Sequence, residues 1–163
     1  MLVIVDMQKR ILDEKDENFV AGANTIIPKI QQRLKKARAS DELILFTRDI
    51  PIEHKNESEE LERLQIVEDL TPLPEEYVFK KNYYALPPES LIRVRGLIEE
   101  RKEEKSRIEV VGVELSLCVL ANTLALQGAL PEANFYVDSE LVASNQLHEA
   151  TLNLMRSFNI EIE

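Results

Sequence analysis

Short apolar runs alternate with longer stretches of helical periodicity along most of the chain. Six of the apolar runs are predicted to be β-strands: Leu2–Val5, Leu43–Thr47, Tyr77–Lys80, Ile108–Val113, Asn134–Asp138 and Ile160–Glu163. Four intervening stretches are predicted to be helices, at about 25–39, 88–105, 116–130 and from Ser144 or Asn145 onwards. This alternation indicates an α/β fold of three α-β-α layers, in which helices cover both faces of a six-stranded, mainly parallel, Rossmann-like sheet.

Two segments depart from this alternation. Asp49–Glu76 is acidic, carries three prolines and has no strand pattern, so it is either a lid or binding loop or a solvated surface excursion. The stretch 116–130 is apolar nearly all round, which predicts a buried helix or one that lies at an interface between subunits.

Composition limits the class of protein. The 163 residues fit one domain, 1–163, and the net charge of −10 disfavours binding to nucleic acid or to an anionic membrane. No apolar stretch is long enough to span a bilayer, and the first apolar run ends at Asp6, so neither a membrane segment nor a signal peptide is expected. The single cysteine, Cys118, excludes an intramolecular disulfide and fits a reducing, cytoplasmic setting.

Reactive side chains follow the predicted parallel strands, whose carboxyl ends form the usual ligand-binding edge of such sheets. They are Asp6 at the end of strand 1, Arg48 and Asp49 at the end of strand 2, Lys80 and Lys81 at the end of strand 3, Cys118 in the turn and helix start after strand 4, and Asp138 at the end of strand 5. Each alone could be a turn cap, a surface lysine or a core thiol. An acid, a lysine and a thiol on one edge together predict a nucleophilic site.

The chemistry of that set is coherent. A thiolate attacks a carbonyl carbon far better than a thiol, and a helix N-terminus and a nearby ammonium both favour the anion. Asp6 is placed to accept the proton of Cys118, Lys80 offsets the negative charge, and backbone N–H groups of the preceding turn can hold an oxyanion.

Three segments resemble motifs of the isochorismatase-like superfamily of cysteine hydrolases, in the same order along nearly the whole chain. Leu2–Gln8 resembles its opening strand with Asp-x-Gln, Lys80–Leu86 resembles Lys-x-x-Tyr-Ser-Ala-Phe, and Val111–Val119 resembles the nucleophile segment, where a glycine precedes the cysteine by six. The spacing to Tyr83 selects Lys80 rather than Lys81.

The resemblance implies a function and a site. Asp6, Lys80 and Cys118 would hydrolyse a small-molecule amide or related C–N bond through an acyl-enzyme, with no cofactor. A cis peptide at Val113–Glu114 is implied, with the N–H groups of Glu114 and Cys118 as the oxyanion hole. Substrate contacts are expected from residues in or beside the same motifs: Gln8, Tyr83 and Leu117. A homo-oligomer is also expected, both from the resemblance to the superfamily and from the apolar helix at 116–130.

Departures from the motifs keep a second interpretation open. Nicotinamidases of the superfamily hold a metal with Asp-x-His after strand 2, whereas Asp49 is followed by Pro51 and only His54 lies nearby, so no metal site is predicted. The alternative is a non-catalytic scaffold or ligand-binding protein of the same fold. A receiver-like phosphoacceptor is excluded, because strand 3 ends in lysine and strand 1 offers a single acid.

Overall fold

A computed structural model describes residues Met1–Glu163 and contains the six strands and four helices that the pattern predicts. The strands are β1 Leu2–Val5, β2 Ile44–Asp49, β3 Tyr77–Lys81, β4 Arg107–Gly112, β5 Asn134–Val137 and β6 Glu161–Ile162. The helices are α1 Ala23–Ala39, α2 Pro88–Arg101, α3 Leu120–Ala129 and α4 His148–Ser157.

The strands form one sheet in the order β3-β2-β1-β4-β5-β6, and every pair is parallel. The chain moves outward from β1 to β2 and β3, then returns to the other side of β1 with β4. The order therefore reverses between β1 and β4, and ligands of open parallel sheets bind beyond the carboxyl ends of the strands at such a point.

Two apolar clusters lie on the two faces of the sheet and confirm the three-layer fold. The cluster on one face has 20 buried residues and joins Leu2 and Ile4 to α1, while that on the other has 21 and joins Val3 and Val5 to α2, α3 and α4. Residues of β1 alternate between the clusters because successive side chains of a strand point to opposite faces.

The helix after the fourth strand differs from its prediction. It is split into a π-helical turn, Leu115–Val119, and α3, whose buried residues are Asn122, Thr123 and Leu126. Leu120 and Leu124 are only half-buried, so the apolar character of this helix does not reflect burial within the chain. The expected homo-oligomer stays a prediction.

The acidic segment between β2 and β3 contains no strand, as predicted, and forms three short 3-10 turns. Its second half packs against α1 through Ile66, Val67 and Leu70, whereas most of its first half is exposed. None of the four helices is long and apolar enough to cross a bilayer.

Candidate active site

Asp6 comes directly after β1 and is held there by the neighbouring strand. Its backbone has a left-handed φ of 51°, a conformation that costs a non-glycine residue of order 1 kcal/mol. Thr47 on β2 stabilises this turn twice, because its Oγ1 accepts from the Asp6 N–H at 3.1 Å and donates to Asp6 Oδ1 at 2.6 Å. The carboxylate is thus fixed by one oxygen and presents the other to the site.

Lys81, and not Lys80, meets that second oxygen. Nζ of Lys81 lies 2.8 Å from Asp6 Oδ2 and 3.1 Å from Asp49 Oδ1, and its side chain is fully buried. Oδ2 of Asp6 has no well-aligned hydrogen-bond donor despite this short ionic contact, so it keeps the capacity to accept a proton.

The prediction of Lys80 as the catalytic lysine is therefore wrong. Lys80 points to the opposite face of β3, where its Nζ donates to Glu59 at 2.8 Å and Glu60 at 2.9 Å. Alternation along the strand is the reason: Phe79 packs against the cluster on the α2–α3 side, so Lys81, two residues on, shares that side.

The nucleophile turn begins at the end of β4. Gly112 has a φ of 113°, and a Cβ there would lie 2.2 Å from the Val5 carbonyl oxygen, so only glycine lets β4 and β1 approach at this point. The Val113–Glu114 peptide is cis, as the resemblance implied. The π-helical turn then carries Cys118 to within 3.4 Å of Lys81 Nζ.

The thiol of Cys118 is protonated in this arrangement. Burial raises its pKa to about 12, and the Asp6 carboxylate also raises this pKa, whereas the Lys81 ammonium opposes the shift. Desolvation of the thiolate thus outweighs its stabilisation by the helix N-terminus and the ammonium, which the sequence led us to expect. Burial alone would lower the pKa of Lys81, but the negative charge of Asp6 above all raises it, so Lys81 stays an ammonium.

Glu114 lies beside Cys118 on the cavity wall. Its N–H donates to no acceptor in the protein, which leaves this donor free for a ligand oxygen. Its side chain turns aside and accepts from the backbone N–H of Asn145 at 3.1 Å. The placement is compatible with the oxyanion role predicted for the N–H groups of Glu114 and Cys118.

Asn122, which the sequence did not single out, ties the loop after β3 to the nucleophile turn. Its amide donates to the carbonyls of Tyr84 at 2.9 Å and Cys118 at 2.7 Å, and its oxygen accepts from the Leu86 N–H at 2.9 Å. The side chain is fully buried, so these bonds satisfy a group that would otherwise be costly to desolvate.

Two of the three predicted substrate contacts reach the cavity. Tyr83 and Leu117 line it and are exposed, whereas Gln8 is fully buried. Gln8 donates to the carbonyls of Asp49 and Leu64 at 3.1 and 2.8 Å and accepts from the Asp49 N–H at 2.9 Å. The prediction that Gln8 contacts substrate is wrong, because its amide is consumed in joining the loops after β1 and β2.

The cavity at this edge has a volume of about 480 Å³ and contains Asp6 and Cys118 in its wall. Aromatic side chains face it from two sides, from Phe19 and from the pair Tyr83 and Tyr84, whose rings meet edge to face at 5.2 Å. A volume of this size suits a small organic molecule.

The residues after β2 do not fit a metal ion. Asp49 gives its two oxygens to Lys81 and to Arg10, the latter at 2.6 Å, and Pro51 offers no ligand atom. The two ring nitrogens of His54 lie 2.5 Å from Ser58 Oγ and 3.1 Å from an Arg63 nitrogen. No cluster of three histidine, cysteine or acidic side chains suited to a metal is present.

Solved structures with the same fold are numerous, at low sequence identity. An isochorismatase family protein from Desulfovibrio vulgaris has a TM-score of 0.82 at 20% identity, covering 99% of this chain and 91% of the other. A pyrazinamidase of Pyrococcus horikoshii in complex with zinc gives 0.78 at 21%, covering 99% and 97%. The nicotinamidase of Staphylococcus aureus gives 0.77 at 21%, covering 99% and 96%. No curated protein sequence matches the chain significantly.

The chain is an α/β protein with the fold of these solved structures, and its all-parallel sheet carries Asp6, Lys81 and Cys118 at the carboxyl edge. The family sequence model of the isochorismatase domain matches residues 1–162. The chain therefore belongs to the isochorismatase family of hydrolases.

Proposed function

We propose that this protein hydrolyses the C–N bond of a small-molecule amide, with Cys118 as nucleophile, Asp6 as proton carrier and Lys81 as their permanent counter-ion. The observation that carries the proposal is the contact of the Lys81 ammonium with two carboxylates and the thiol: 2.8 Å to Asp6, 3.1 Å to Asp49 and 3.4 Å to the Cys118 sulfur. Such a cluster in a cavity wall is typical of a covalent catalyst.

Acylation begins from the neutral thiol. The sulfur attacks the carbonyl carbon of the bound amide as its proton passes to Oδ2 of Asp6, and Lys81 stabilises the charge that moves. The resulting oxyanion is held by backbone N–H groups of Glu114 and Cys118. The tetrahedral intermediate breaks its C–N bond, and Asp6 returns the proton to the departing nitrogen, so that ammonia or an amine leaves.

Deacylation reverses the roles. Asp6, again ionised, takes a proton from a water molecule that attacks the thioester carbonyl of acylated Cys118. The C–S bond breaks, the carboxylic acid is released, and the proton on Asp6 returns to sulfur. A protonated thiol at rest is compatible with this cycle, because its proton passes to Asp6 as the sulfur attacks the substrate.

The second candidate is a ligand-binding protein of the same fold without turnover. The feature that favours it is the burial of the Cys118 thiol, which raises its pKa and leaves little thiolate at neutral pH. The buried counter-ion of Asp6 and Cys118 argues against it, since a binding module has no need of a charged base beside a thiol.

The test is ammonia release from a panel of small primary amides, together with intact-mass analysis of acid-quenched protein. We expect turnover and a mass increase equal to the acyl group, located on Cys118, and neither in the Cys118→Ala variant. Binding of amides without ammonia or adduct would establish the ligand-binding candidate instead.

A further inference from the structure

We infer that Arg10 is a specificity-determining residue of the cavity: it binds a second carbonyl oxygen of an uncharged substrate, and the acidic rim of the cavity rejects anionic analogues. This inference rests on the proposed amide hydrolysis and names the class of amide. The scissile carbonyl lies at Cys118, and a second, non-reacting carbonyl of the same small molecule accepts from the guanidinium.

Arg10 is unusual among the arginines because it is buried without enough acceptors. It lies in the 3-10 turn Lys9–Leu12 after β1 and is 4% exposed, yet it lines the cavity. Its single protein acceptor is Asp49 Oδ2, and its Nε has none. Five N–H hydrogens with one partner leave donors for a ligand, because unpaired buried polar groups are otherwise unfavourable.

The charges of the inner site decide which acceptor fits. Asp6 and Asp49 balance Lys81 and Arg10 through contacts of 2.6 to 3.1 Å. Burial raises the pKa of the Cys118 thiol, so the thiol adds no charge to this group. Arg10 is therefore already neutralised, and it offers oriented N–H donors rather than an uncompensated positive charge. A neutral carbonyl oxygen uses those donors without adding charge.

The rim of the cavity adds a further reason for an uncharged substrate. The exposed carboxylates of Glu17 and Glu53 line it, and no cation other than Arg10 lines the cavity. An anion entering between them meets repulsion that a neutral amide does not meet. The same rim would tolerate a cation, so the selection acts against negative charge.

Three matched probes separate these effects. Succinamide carries a second carboxamide, butyramide replaces it by a methyl group, and succinamate replaces it by a carboxylate. We expect kcat/KM to be at least about tenfold higher for succinamide than for butyramide, since a hydrogen bond to a charged donor is among the stronger ones. Succinamate should be the poorest of the three.

The double variant Arg10→Met with Asp49→Asn removes the buried pair together and leaves one oxygen for Lys81. We expect the ratio of kcat/KM for succinamide over butyramide to fall to about one, whatever the loss of overall rate. The matched control, Arg63→Met with Asp16→Asn, removes an ion pair of 2.9 Å outside the cavity and should keep the wild-type ratio. An unchanged ratio in the Arg10 variant overturns the inference.

Binding to the Cys118→Ala protein separates this inference from the proposed function. Calorimetric affinity for succinamide over butyramide should depend on Arg10 even if the enzyme turns over neither. Glu17→Gln with Glu53→Gln should raise the relative kcat/KM, or affinity, for succinamate by about threefold at low salt, and less at high salt. Glu14→Gln with Glu57→Gln, which are exposed outside the cavity, should not. Preference for succinamate in the wild type would overturn the charge argument.

Discussion

Nζ of Lys81 lies 2.8 Å from Oδ2 of Asp6, and both side chains are at least nine-tenths buried. The pair joins the edge strand β3 to the central strand β1 across β2, which lies between them. Water solvates neither charge, so each side chain stays ionised because the other charge stabilises it.

The two adjacent lysines should therefore differ sharply when mutated. Lys81→Met leaves Asp6 and Asp49 uncompensated, so we expect a loss of about 3–5 kcal/mol of unfolding free energy and at least about a hundredfold loss of kcat/KM. Lys80→Met removes an exposed pair with Glu59 and Glu60 and should cost under about 1 kcal/mol. Urea unfolding measures the stability of each variant, and amide turnover measures its kcat/KM. Equal effects of the two substitutions would contradict the placement of Lys81.

Alkylation of Cys118 should report its raised pKa. The rate with iodoacetamide should rise about tenfold per pH unit up to at least pH 10, because only the thiolate reacts and the pKa is about 12. Asp6 raises this pKa, so Asp6→Asn should lower it and speed labelling at pH 9 while abolishing turnover. Asp138→Asn, at the end of β5, is the control and should label like the wild type. A plateau below pH 9 in the wild type would show an activated thiolate at rest.

Thr47 should act on turnover through the orientation of Asp6. Thr47→Val removes both hydrogen bonds to Asp6, and we expect kcat to fall between about ten- and a hundredfold, the usual effect of a misplaced catalytic group. Thr47→Ser keeps the hydroxyl and should restore most of the rate. A valine variant with normal kcat and a lower melting temperature would reduce Thr47 to a structural role.

Asn122 should matter more than its buried neighbour Thr123. Asn122→Ala leaves the carbonyl of Tyr84 and the N–H of Leu86 without a partner, so we expect about 3 kcal/mol of destabilisation and slower turnover. Thr123→Val loses one bond, to the Val119 carbonyl four residues earlier, and should cost about 1 kcal/mol or less. Chemical unfolding of both variants and of the wild type makes the comparison.

Two glycines give opposite expectations for the same substitution. Gly112→Ala places a methyl group 2.2 Å from the Val5 oxygen at a positive φ, so we expect a loss above about 4 kcal/mol or insoluble protein. Gly96→Ala, inside α2 with no atom within 4 Å of the new Cβ, should stabilise by about 0.5–1 kcal/mol. A soluble Gly112→Ala variant of normal stability would contradict the close contact of β1 and β4.

The sequence placed Asp6 and Cys118 at one edge of the sheet, because both follow buried strands whose carboxyl ends meet there, and the structure brings both into the wall of one cavity. It did not distinguish Lys80 from Lys81, since the doublet Tyr83-Tyr84 gives either lysine a tyrosine three residues later. The alternation of side chains along β3 distinguishes the two lysines, because Lys81 points to the same face as Phe79, which packs against the core.

Arg10 and Asn122 were not predictable in this way. Nothing in the local pattern separates Arg10 from a solvated arginine, because its burial depends on Asp49, which is distant along the chain. Asn122 lies in an apolar stretch where the pattern favours leucine as the buried residue, yet the asparagine is fully buried whereas Leu120 and Leu124 are half-buried. Contacts between distant segments decide both positions.

Because β3 pairs only with β2, Lys81 is carried by an edge strand, whereas β1, β2 and β4 have a neighbouring strand on both sides. A segment with fewer buried contacts and more exposed backbone hydrogen bonds opens locally at a lower free energy than core strands, and an edge strand is exposed along one side. Opening of β3 would separate Lys81 from Asp6 while β1, β4 and the core stayed folded. Activity should then disappear at a lower denaturant concentration than global unfolding, and amide hydrogen exchange at Val78–Lys81 should increase over the same concentrations. The stability of this edge strand would thus set the denaturant concentration up to which the protein is active.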